Sequence, residues 1–297
     1  EERNQAIALL IKHFNLFAFD GEYGKTNVIQ HHIELLPGTK PHRARCRELN
    51  PAMEEALKKQ VKDWLAKDVI YPCSSEWNTA LVPVVKGAKI RFCLDFRPLN
   101  KATIKDSMTI GETHAKLSKL GGSKIFSVVD GSGAFLQVPI SKESQHLTAF
   151  STQQGVYAFK RMPFGLCNAP STYGRLVAQV LGHLPWQVAV SFVDDTIVHS
   201  LTMEEHFDSL DKVFTAFSKA GLKLGPEKCE LFRRSVKFLG HKITEEGIHV
   251  LPEYVDVIKK WPLPQTRKEV RQFMGKASYY RRFIKGSQHI AGPMTDK

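Results

Sequence analysis

Apolar residues recur at helical spacing in several segments of the chain, and the clearest of these begins at Asn50-Pro51. Asn is a favoured N-cap residue and Pro is favoured at the first helical position, so this pair predicts a helix start. The apolar residues of this helix fall on one face: Met53, Ala56, Leu57, Val61, Trp64 and Leu65. The same spacing predicts further helices over residues 1–19, 112–120, 168–184, 203–220, 253–260 and 267–284. A capping box of Thr202 with Glu205 supports the helix that starts at residue 203.

Shorter runs rich in β-branched and aromatic residues predict strands between these helices. The runs cover residues 81–85, 90–96, 124–130, 150–162, 188–193, 196–199 and 236–243. A short basic loop, Lys86-Gly87-Ala88-Lys89, joins the first two runs, and the stretch 20–47 is predicted to be irregular. The order of elements predicts an α+β fold with an antiparallel hairpin at its centre and a basic helical tail.

Composition narrows the class of protein. The chain has 297 residues, of which 42% are hydrophobic and 24% charged, a composition typical of globular proteins. Its length predicts two or three compact units or one multi-part fold. No apolar run approaches the roughly 20 residues needed to cross a bilayer, and no segment has the pattern of a signal peptide. We therefore expect neither a membrane span nor secretion.

The balance of charge predicts the kind of partner. A formal net charge of +12 indicates an anionic partner, most commonly nucleic acid and next a membrane surface. Residues 254–285 contain nine basic and two acidic residues, and a second basic cluster lies within residues 40–47. The five cysteines include no CxxC pair, which argues against structural zinc and favours reduced thiols. Because the chain begins with Glu1, we expect a piece of a longer polyprotein or a trimmed chain.

Acidic residues interrupt two of the predicted strands. Asp194-Asp195 splits an otherwise apolar run, although Asp is depleted in strands, and Asp130 ends the apolar run 124–130. One interpretation is a pair of Asp-containing turns. The other is a set of carboxylates that holds divalent cations, since Mg²⁺ takes oxygen ligands and two such ions stabilise phosphoryl transfer. The basic surroundings favour the second interpretation, because they would hold a polyanionic substrate near the acids.

Six segments resemble motifs of reverse transcriptases and occur in the order of that family. Phe192-Val193-Asp194-Asp195 resembles the YxDD box, with Phe in place of Tyr, and residues 129–139 resemble the upstream motif that carries the first metal-binding Asp. The other four are 89–100 of the fingers, 161–173 (RMPFGLCNAPSTY), 237–243 of the primer grip and 275–284 of the thumb. Residues 161–173 and 275–284 are similar to segments of gypsy-type LTR retrotransposons. The resemblance covers residues 35–296.

This resemblance implies a right-hand polymerase fold of fingers, palm and thumb, in which helices back an antiparallel palm sheet. The implied divisions are an N-terminal extension at 1–48, fingers at 49–122 and 141–162, palm at 123–140 and 163–245, and thumb at 246–297. It also implies a pol polyprotein with ribonuclease H and integrase domains downstream, located in the cytoplasm or in a virus-like particle.

The resemblance assigns the acids to catalysis with two Mg²⁺ ions, or Mn²⁺. Asp130 and Asp194 would ligate both ions, Asp195 would assist, and the carbonyl of Gly131 would add an oxygen. Lys228 lies near the expected proton donor to pyrophosphate, although we favour an ordinary surface lysine at this position.

Nucleotide contacts are implied in the fingers and the palm. Arg91 would meet the triphosphate, with a solvated strand charge as the alternative, and either Lys86 or Lys89 would be a second contact. Phe135 would exclude a 2′-hydroxyl, with a core Phe as the alternative. Phe164-Gly165 would line the nucleotide pocket.

Primer and template contacts are implied towards the C-terminus. Gly240 and His241 would hold the primer terminus through their backbone. The basic face of the thumb would follow phosphates without reading sequence, through Arg271, Lys276, Arg281 and Arg282.

The implied function is an RNA-directed DNA polymerase that adds dNTPs to a primer on an RNA or DNA template. An RNA-templated RNA polymerase is a competing hypothesis, but such enzymes typically have Asp where this chain has Phe135. A domesticated, non-catalytic nucleic-acid-binding protein is a second alternative, against which the three acids argue. The remaining alternative is a basic scaffold that has paired acids by chance.

Overall fold

A computed structural model of the chain describes residues 1–19, 21–87, 89–108, 113–185 and 187–295. Three positions in the predicted segments lie outside this part of the chain: Asp20, Ala88 and Glu112. Within the described part, no helix has the length and apolar character needed to span a membrane.

The described residues form twelve strands, ten α-helices and five short 3₁₀ helices. The strands are β1 (Ile70–Pro72), β2 (Leu81–Lys86), β3 (Lys89–Leu94), β4 (Ile125–Asp130), β5 (Phe150–Thr152), β6 (Gly155–Phe159), β7 (Ala189–Phe192), β8 (Asp195–Ser200), β9 (Glu230–Arg233), β10 (Ser235–Phe238), β11 (His241–Thr244) and β12 (Gly247–Val250). The α-helices are α1 (Glu2–Lys12), α2 (Pro51–Ala66), α3 (Arg97–Ala102), α4 (Thr113–Ser118), α5 (Lys142–Gln145), α6 (Ala169–Leu181), α7 (Met203–Lys219), α8 (Pro252–Lys259), α9 (Arg267–Tyr279) and α10 (Ser287–Thr295). The 3₁₀ helices are Phe14–Leu16, Ala134–Gln137, His146–Thr148, Pro226–Lys228 and Arg281–Phe283.

A four-stranded antiparallel sheet with strand order β7-β8-β4-β9 lies at the centre of the molecule. Because side chains alternate between the two faces of a strand, its strands contribute to two separate cores. On one face, Val129 and Val198 pack with apolar residues of α6 and α7. On the other face, Phe126 and Ile197 pack with α4 and with the small sheet β10-β11-β12. Both faces of the central sheet are therefore covered, so a site on this sheet would have to lie at the ends of its strands.

Two smaller sheets and helix α2 accompany the central sheet. One sheet is the β2-β3 hairpin and the other has the strand order β1-β6-β5. Strand β1 was not predicted from the pattern, and the run predicted over 150–162 forms the hairpin of β5 and β6. The predicted cap of α2 is confirmed, because the side chain of Asn50 accepts a hydrogen bond from the backbone N–H of Met53 at 2.8 Å. Trp64 of this helix packs edge-on against Phe150 and Phe159, with ring centroids 6.2 and 5.5 Å away.

The N-terminal segment packs against the loop that follows β4. The hydroxyl of Ser132 donates to the carbonyl of Glu22, and the backbone N–H of Thr26 donates to the carbonyl of Gln137. A Cβ at Gly24 would lie 2.3 Å from Gln137 Oε1, so glycine is required where the two chain segments cross. Residues 21–47 have only isolated bridges, which confirms the predicted irregular structure for that part of the stretch.

Gln137 is a fully buried polar residue that ties this loop to the chain after α7. Its side-chain amide donates to the carbonyls of Ser132 at 2.9 Å and Lys223 at 2.8 Å. Its Oε1 accepts the backbone N–H of Lys223 at 2.7 Å. A buried polar side chain that satisfies three backbone groups fixes their relative positions, because any displacement leaves one of them without a partner.

A second buried polar group, His206, lies between α7 and the central sheet. Its Nε2 is 2.7 Å from the hydroxyl of Ser127, and its Nδ1 is 3.0 Å from the hydroxyl of Ser200. A neutral imidazole satisfies both hydroxyls, since one ring nitrogen accepts and the other donates. Burial, with a smaller effect from His199, lowers the pKa of His206 to about 4.

Two predicted elements near the C-terminus are wrong in detail. The run 236–243 was predicted as one strand, but it forms the hairpin of β10 and β11, because Leu239 and Gly240 adopt positive φ values of 47° and 70°. The helix predicted over 267–284 ends at Tyr279, and a 3₁₀ turn and α10 follow it. In both cases a turn interrupts a sequence pattern that continues through it.

The first helix also differs from its prediction. The pattern indicated one helix over residues 1–19, whereas α1 ends at Lys12 and a 3₁₀ turn follows. Leu9 is the buried residue of α1, while its apolar residues Ile7 and Ile11 are exposed.

Replacing Gln137 should destabilise the protein. In Gln137→Met, two backbone carbonyls and one backbone N–H lose their buried partner, and we expect the free energy of unfolding to fall by about 2–4 kcal/mol. Urea unfolding of the wild type and the variant measures this. The matched control is Gln154→Met in the exposed turn between β5 and β6, which we expect to stay within about 0.5 kcal/mol of the wild type. A loss below about 1 kcal/mol for Gln137→Met would contradict the assigned role.

Acid should destabilise the protein through His206. Its folded pKa of about 4 is below the ordinary value of 6.5, so the unfolded chain takes up a proton in this interval and the folded chain does not. The free energy of unfolding should therefore fall from pH 6.5 towards pH 4, by about 3 kcal/mol for this residue. Urea unfolding at several pH values should give a shallower dependence for His206→Gln. Parallel pH profiles for the two proteins would contradict the prediction.

Candidate active site

Three carboxylates, those of Asp130, Asp194 and Asp195, meet where the two central strands of the sheet, β4 and β8, have their adjoining ends. We call this end of the sheet the acidic edge. Asp130 is the last residue of β4 and Asp195 the first of β8, and the two are directly opposite in the antiparallel register. Side chains of directly opposite residues project to the same face, with Cβ atoms about 4.5–5.5 Å apart. Asp194 precedes Asp195 in the hairpin connection between β7 and β8. The structure thus brings together the three acids that the sequence analysis selected.

The hairpin connection is shifted by one residue from its prediction. Asp194-Asp195 was predicted to separate the two runs, whereas Val193-Asp194 forms the two-residue connection and Asp195 pairs with both Phe192 and Asp130. Val193 has a φ of 55°, a conformation that is rare for a β-branched residue and costs about 1–3 kcal/mol. Asp194 lies in this strained turn and is exposed, whereas Asp195, the first residue of β8, is half-buried.

The charges of Asp130 and Asp194 act on the titratable groups beside them. Burial, followed by the charges of Asp194 and Asp130, raises the pKa of Asp195 to about 6, and the nearby Lys228 opposes this shift. Lys228 Nζ lies 2.9 Å from Asp130 Oδ1, and this hydrogen bond raises the pKa of the lysine. Burial and then the same two carboxylates raise the pKa of Tyr173. The sheet edge is therefore a site of concentrated negative potential inside a basic protein.

The loop after Asp130 passes close to its neighbours. Gly131 is buried and bridges to Leu224, and a Cβ on Gly131 would lie 3.0 Å from the hydroxyl of Tyr173. Gly133 has a φ of 57°, and a Cβ there would lie 2.6 Å from the ring of Tyr23 in the N-terminal segment. Glycine at both positions lets the chain turn directly beneath the carboxylates.

The donor set of this edge consists of carboxylate and backbone oxygens. Among the described residues, no three His, Cys, Asp or Glu side chains form a group that could hold a metal ion by themselves. Mg²⁺ in phosphoryl-transfer sites is usually bound by one or two carboxylates and completed by substrate phosphates and water. The donors present fit an ion of that kind better than they fit a closed structural metal site.

An aromatic group adjoins the acids. The ring of Phe135 is half-buried and lies 5.1 Å from that of Phe164 and 5.8 Å from that of Tyr173, between centroids. Phe164 is exposed, and Gly165 has a φ of 97°. Asn100 holds this loop, because its amide donates to the carbonyl of Gly165 at 2.8 Å and accepts from the backbone N–H of Cys167 at 2.8 Å.

The basic residues predicted to meet a triphosphate lie on the β2-β3 hairpin. Arg91 is exposed on β3, opposite Val84. Lys86 and Lys89 pair with each other at the end of the hairpin, and their side chains lie outside the described part of the structure. The structure does not bring Arg91 into a contact with the acidic edge.

The residues predicted to hold primer and template lie on the β10-β11 turn and on the last helices. Gly240 is in the turn, and His241 starts β11 with a fully buried side chain. The basic side chains predicted to follow phosphates are all exposed: Arg271, Lys276, Arg281 and Arg282. Lys276 Nζ lies 5.2 Å from the ring centroid of Tyr254.

Several residues of this region had no role in the sequence analysis. Three of them, Tyr173, Asn100 and Gln137, lie within the motif segments 161–173, 89–100 and 129–139. They support the acidic edge or the loop beside it. Lys116 lies over the ring of Phe192, with its Nζ 5.2 Å from the centroid, and donates to the carbonyl of Ser191. These contacts have no signal in the local sequence pattern, because the residues that they join are distant in the chain.

Comparison with known proteins identifies the family to which the chain belongs. Residues 85–243, more than half of the chain, match the family model described as reverse transcriptase (RNA-dependent DNA polymerase). The Retrovirus-related Pol polyprotein from transposon 297 of Drosophila melanogaster is 36% identical over 99% of this chain and 28% of its own length. That from transposon gypsy of the same organism is 33% identical over 82% of this chain and 24% of its own length. The chain therefore spans about a quarter of the length of these relatives.

Solved structures give the same result for the fold. A foamy viral protease-reverse transcriptase in complex with double-stranded DNA is similar with a TM-score of 0.89 and 29% identity, over 99% of this chain and 52% of that one. A foamy viral protease-reverse transcriptase in complex with an RNA/DNA hybrid gives a TM-score of 0.84 and 28% identity, over 99% and 40%. These similarities confirm the predicted right-hand polymerase fold. By its matching family model, its transposon Pol relatives and this fold, the chain belongs to the reverse transcriptases (RNA-dependent DNA polymerases), a family of nucleotidyltransferases.

Proposed function

We propose that the chain adds deoxynucleotides to the 3′-hydroxyl of a primer on an RNA or DNA template and releases pyrophosphate. The observation that carries this proposal is the register of β4 and β8, which sets Asp130 opposite Asp195 and beside Asp194 at an open sheet edge. A non-catalytic binding protein would have no need for three neighbouring carboxylates, because the half-buried Asp195 is costly to ionise beside the other two. Retention of the acids therefore favours an enzyme over the domesticated alternative.

Two Mg²⁺ ions, with Mn²⁺ as a substitute, are the proposed cofactors. Asp130 and Asp194 would hold them with the carbonyl of Gly131, and Asp195 would assist. Bound ions of this kind neutralise charge on the attacking and leaving oxygens of a phosphoryl transfer. The raised pKa of Asp195 supports this assignment, since burial and then the charges of Asp194 and Asp130 disfavour its ionised form, and divalent cations would stabilise that form. The contact of Lys228 with Asp130 supports a functional role for this lysine over the surface role that we favoured from the sequence.

The incoming nucleotide is proposed to lie between the β2-β3 hairpin and the acidic edge. Arg91, with Lys86 or Lys89, would neutralise its triphosphate, for which a planar guanidinium is suited. Phe135 would pack against the sugar where a 2′-hydroxyl would project. Its half-buried ring is held between Phe164 and Tyr173, which supports a fixed barrier rather than a mobile side chain.

The primer-template is proposed to contact the palm and the thumb. Gly240 and His241 would hold the primer terminus, and the exposed basic residues of α9 and the following 3₁₀ helix would contact phosphates. The two foamy viral structures that resemble this chain are complexes with double-stranded DNA and with an RNA/DNA hybrid. This similarity supports the proposal that the chain binds both kinds of duplex. The domain divisions given above from the resemblance remain part of this proposal, as do ribonuclease H and integrase domains in a longer parent protein.

Primer extension tests the proposed activity. On an RNA template with dNTPs and Mg²⁺, we expect the wild type to extend a DNA primer and EDTA to stop the reaction. Asp194→Asn should lower the extension rate by about 10³-fold or more, because it removes one of the carboxylates that would hold the ions. Binding of the labelled primer-template, measured by fluorescence anisotropy, should change by only a few-fold.

The matched control for this variant is Asp208→Asn on the exposed side of α7, which should extend primers at the wild-type rate. Tight primer-template binding by the wild type without any extension would contradict the proposal and favour the non-catalytic alternative.

Nucleotide selection tests the role of Phe135. Phe135→Ala should raise the incorporation of ribonucleotides relative to deoxynucleotides by about 10-fold or more, because a smaller side chain leaves room for the 2′-hydroxyl. The measurement compares kcat/KM for dCTP and CTP on one primer-template. Since dCTP serves as the internal reference, a general loss of activity does not affect the ratio. An unchanged ratio would identify Phe135 as a core residue instead.

A further inference from the structure

The C-terminal helices have almost no hydrophobic core of their own. Helices α8 and α9 contain no buried residue, and in the described part of the chain after Leu251, Tyr280 is the one buried side chain. Apolar burial therefore contributes little to the position of these helices. Their position must depend on specific contacts with the rest of the molecule, and Tyr280 marks where those contacts lie.

Two neighbouring tyrosines connect the end of α9 to the β10-β11 turn. The hydroxyl of Tyr279 donates to the carbonyl of Leu239 at 2.8 Å, and that of Tyr280 donates to the carbonyl of Gly240 at 3.2 Å. These are the two central residues of the turn, and both have positive φ values. A Cβ on Gly240 would lie 3.4 Å from the Tyr280 hydroxyl, so the tyrosines pack closely over the glycine.

An aromatic cluster surrounds this pair of hydrogen bonds. The fully buried ring of His241 lies 5.4 Å from Tyr279, 5.5 Å from Tyr280 and 5.7 Å from Phe283, between centroids. Tyr254 of α8 packs on the other side of Tyr280, at 5.7 Å. His241 is the first residue after the turn, so the cluster joins α8, α9 and the 3₁₀ helix to the same short segment of backbone.

We propose that Tyr279 and Tyr280 are positioning residues that couple the orientation of the C-terminal helices to the Leu239-Gly240 turn. The inference deepens the proposed function, in which this turn meets the primer terminus and the C-terminal helices meet the duplex behind it. A two-residue turn with both φ values positive has little freedom to deform on its own. Fixing its two carbonyls to α9 therefore makes turn and helices move as one unit, so that a bound duplex is held at both places together.

The coupling has a specific consequence for the reaction. When the two hydroxyls are removed, the helices lose their directional link to the turn, while the stacked rings remain. The primer-template should then leave the protein faster, whereas the chemistry at the acidic edge should proceed normally while the duplex is bound. A residue that only stabilised the fold would lower the amount of primer-template bound and extended, and would leave both rate constants unchanged.

The double variant Tyr279→Phe/Tyr280→Phe tests this, because it removes two oxygen atoms and keeps both rings. The dissociation rate of a fluorescent primer-template is measured by anisotropy without dNTPs, in the presence of an unlabelled competitor. We expect it to rise roughly tenfold, the combined effect of two hydrogen bonds of ordinary strength. The number of nucleotides added per binding event should fall, and the rate of the first addition to bound primer should stay within about twofold of the wild type.

The matched control is Tyr254→Phe, since this tyrosine belongs to the same cluster but its hydroxyl forms no hydrogen bond to the turn among the described contacts. We expect the control to dissociate at the wild-type rate. A double variant that dissociates at the wild-type rate would overturn the proposal, as would an equal acceleration in the control. A thermal melt of each protein identifies loss of fold, and the two single variants, each expected to accelerate dissociation about threefold, then decide the question.

The proposed polymerase activity and the proposed coupling can be contradicted independently of each other. A wild type that binds primer-template but never extends it contradicts the proposed polymerase activity, and the dissociation rates still test the coupling. A wild type that extends primers, together with a double variant of unchanged dissociation rate, contradicts the coupling alone.

Discussion

The pairing register of β4 and β8 is the constraint on which the site depends. Asp130 faces Asp195 because all six residues of β4 pair in sequence with those of β8. A slip of one residue would turn the carboxylate of Asp130 to the opposite face of the sheet. It would also exchange Val129 and Phe126 between the two cores, each of which is shaped for the side chain it now holds. Packing remote from the acids therefore sets the distance between them.

The same register places several features that lower the stability of the fold at the acidic edge. Burial, followed by repulsion from Asp194 and Asp130, raises the pKa of Asp195, and the positive φ of Val193 adds strain in the adjoining turn. Lys228 offsets part of the charge through its contact with Asp130. A fold selected for stability alone would place neither three carboxylates nor a strained valine there, because departures from local preference in stable proteins concentrate at functional sites. The cores on both faces of the sheet supply the stability that these features remove.

The elements that a local sequence pattern specifies were predicted correctly. The predictions failed where contacts with residues distant in the chain determine the structure. Helix α7 carries both an apolar face and a capping box, and its observed N-terminus is the predicted one. The run 236–243 has no break in its β-rich pattern, and Leu239 is a residue for which positive φ is unexpected, so the turn was missed. The three acids were found because two short motifs, residues 129–139 and 192–195, contain them. Gln137 and Asn100, which hold the loops around the site, are recognisable only once their backbone partners have been brought to them by the fold.

The interruption of the helix predicted over 267–284 connects the fold to its proposed action. The pattern continues past Tyr280, yet α9 ends at Tyr279, and Tyr280 has a φ of −105° as the C-cap residue. Continuing the helix would give Tyr279 and Tyr280 the 100° separation of neighbouring helical residues and direct them to different surroundings. Ending it there lets both hydroxyls reach consecutive carbonyls of one turn. Two hydrogen bonds and a buried ring thus outweigh the helical preference of the segment, so that the end of this helix is set by its contacts with the β10-β11 turn.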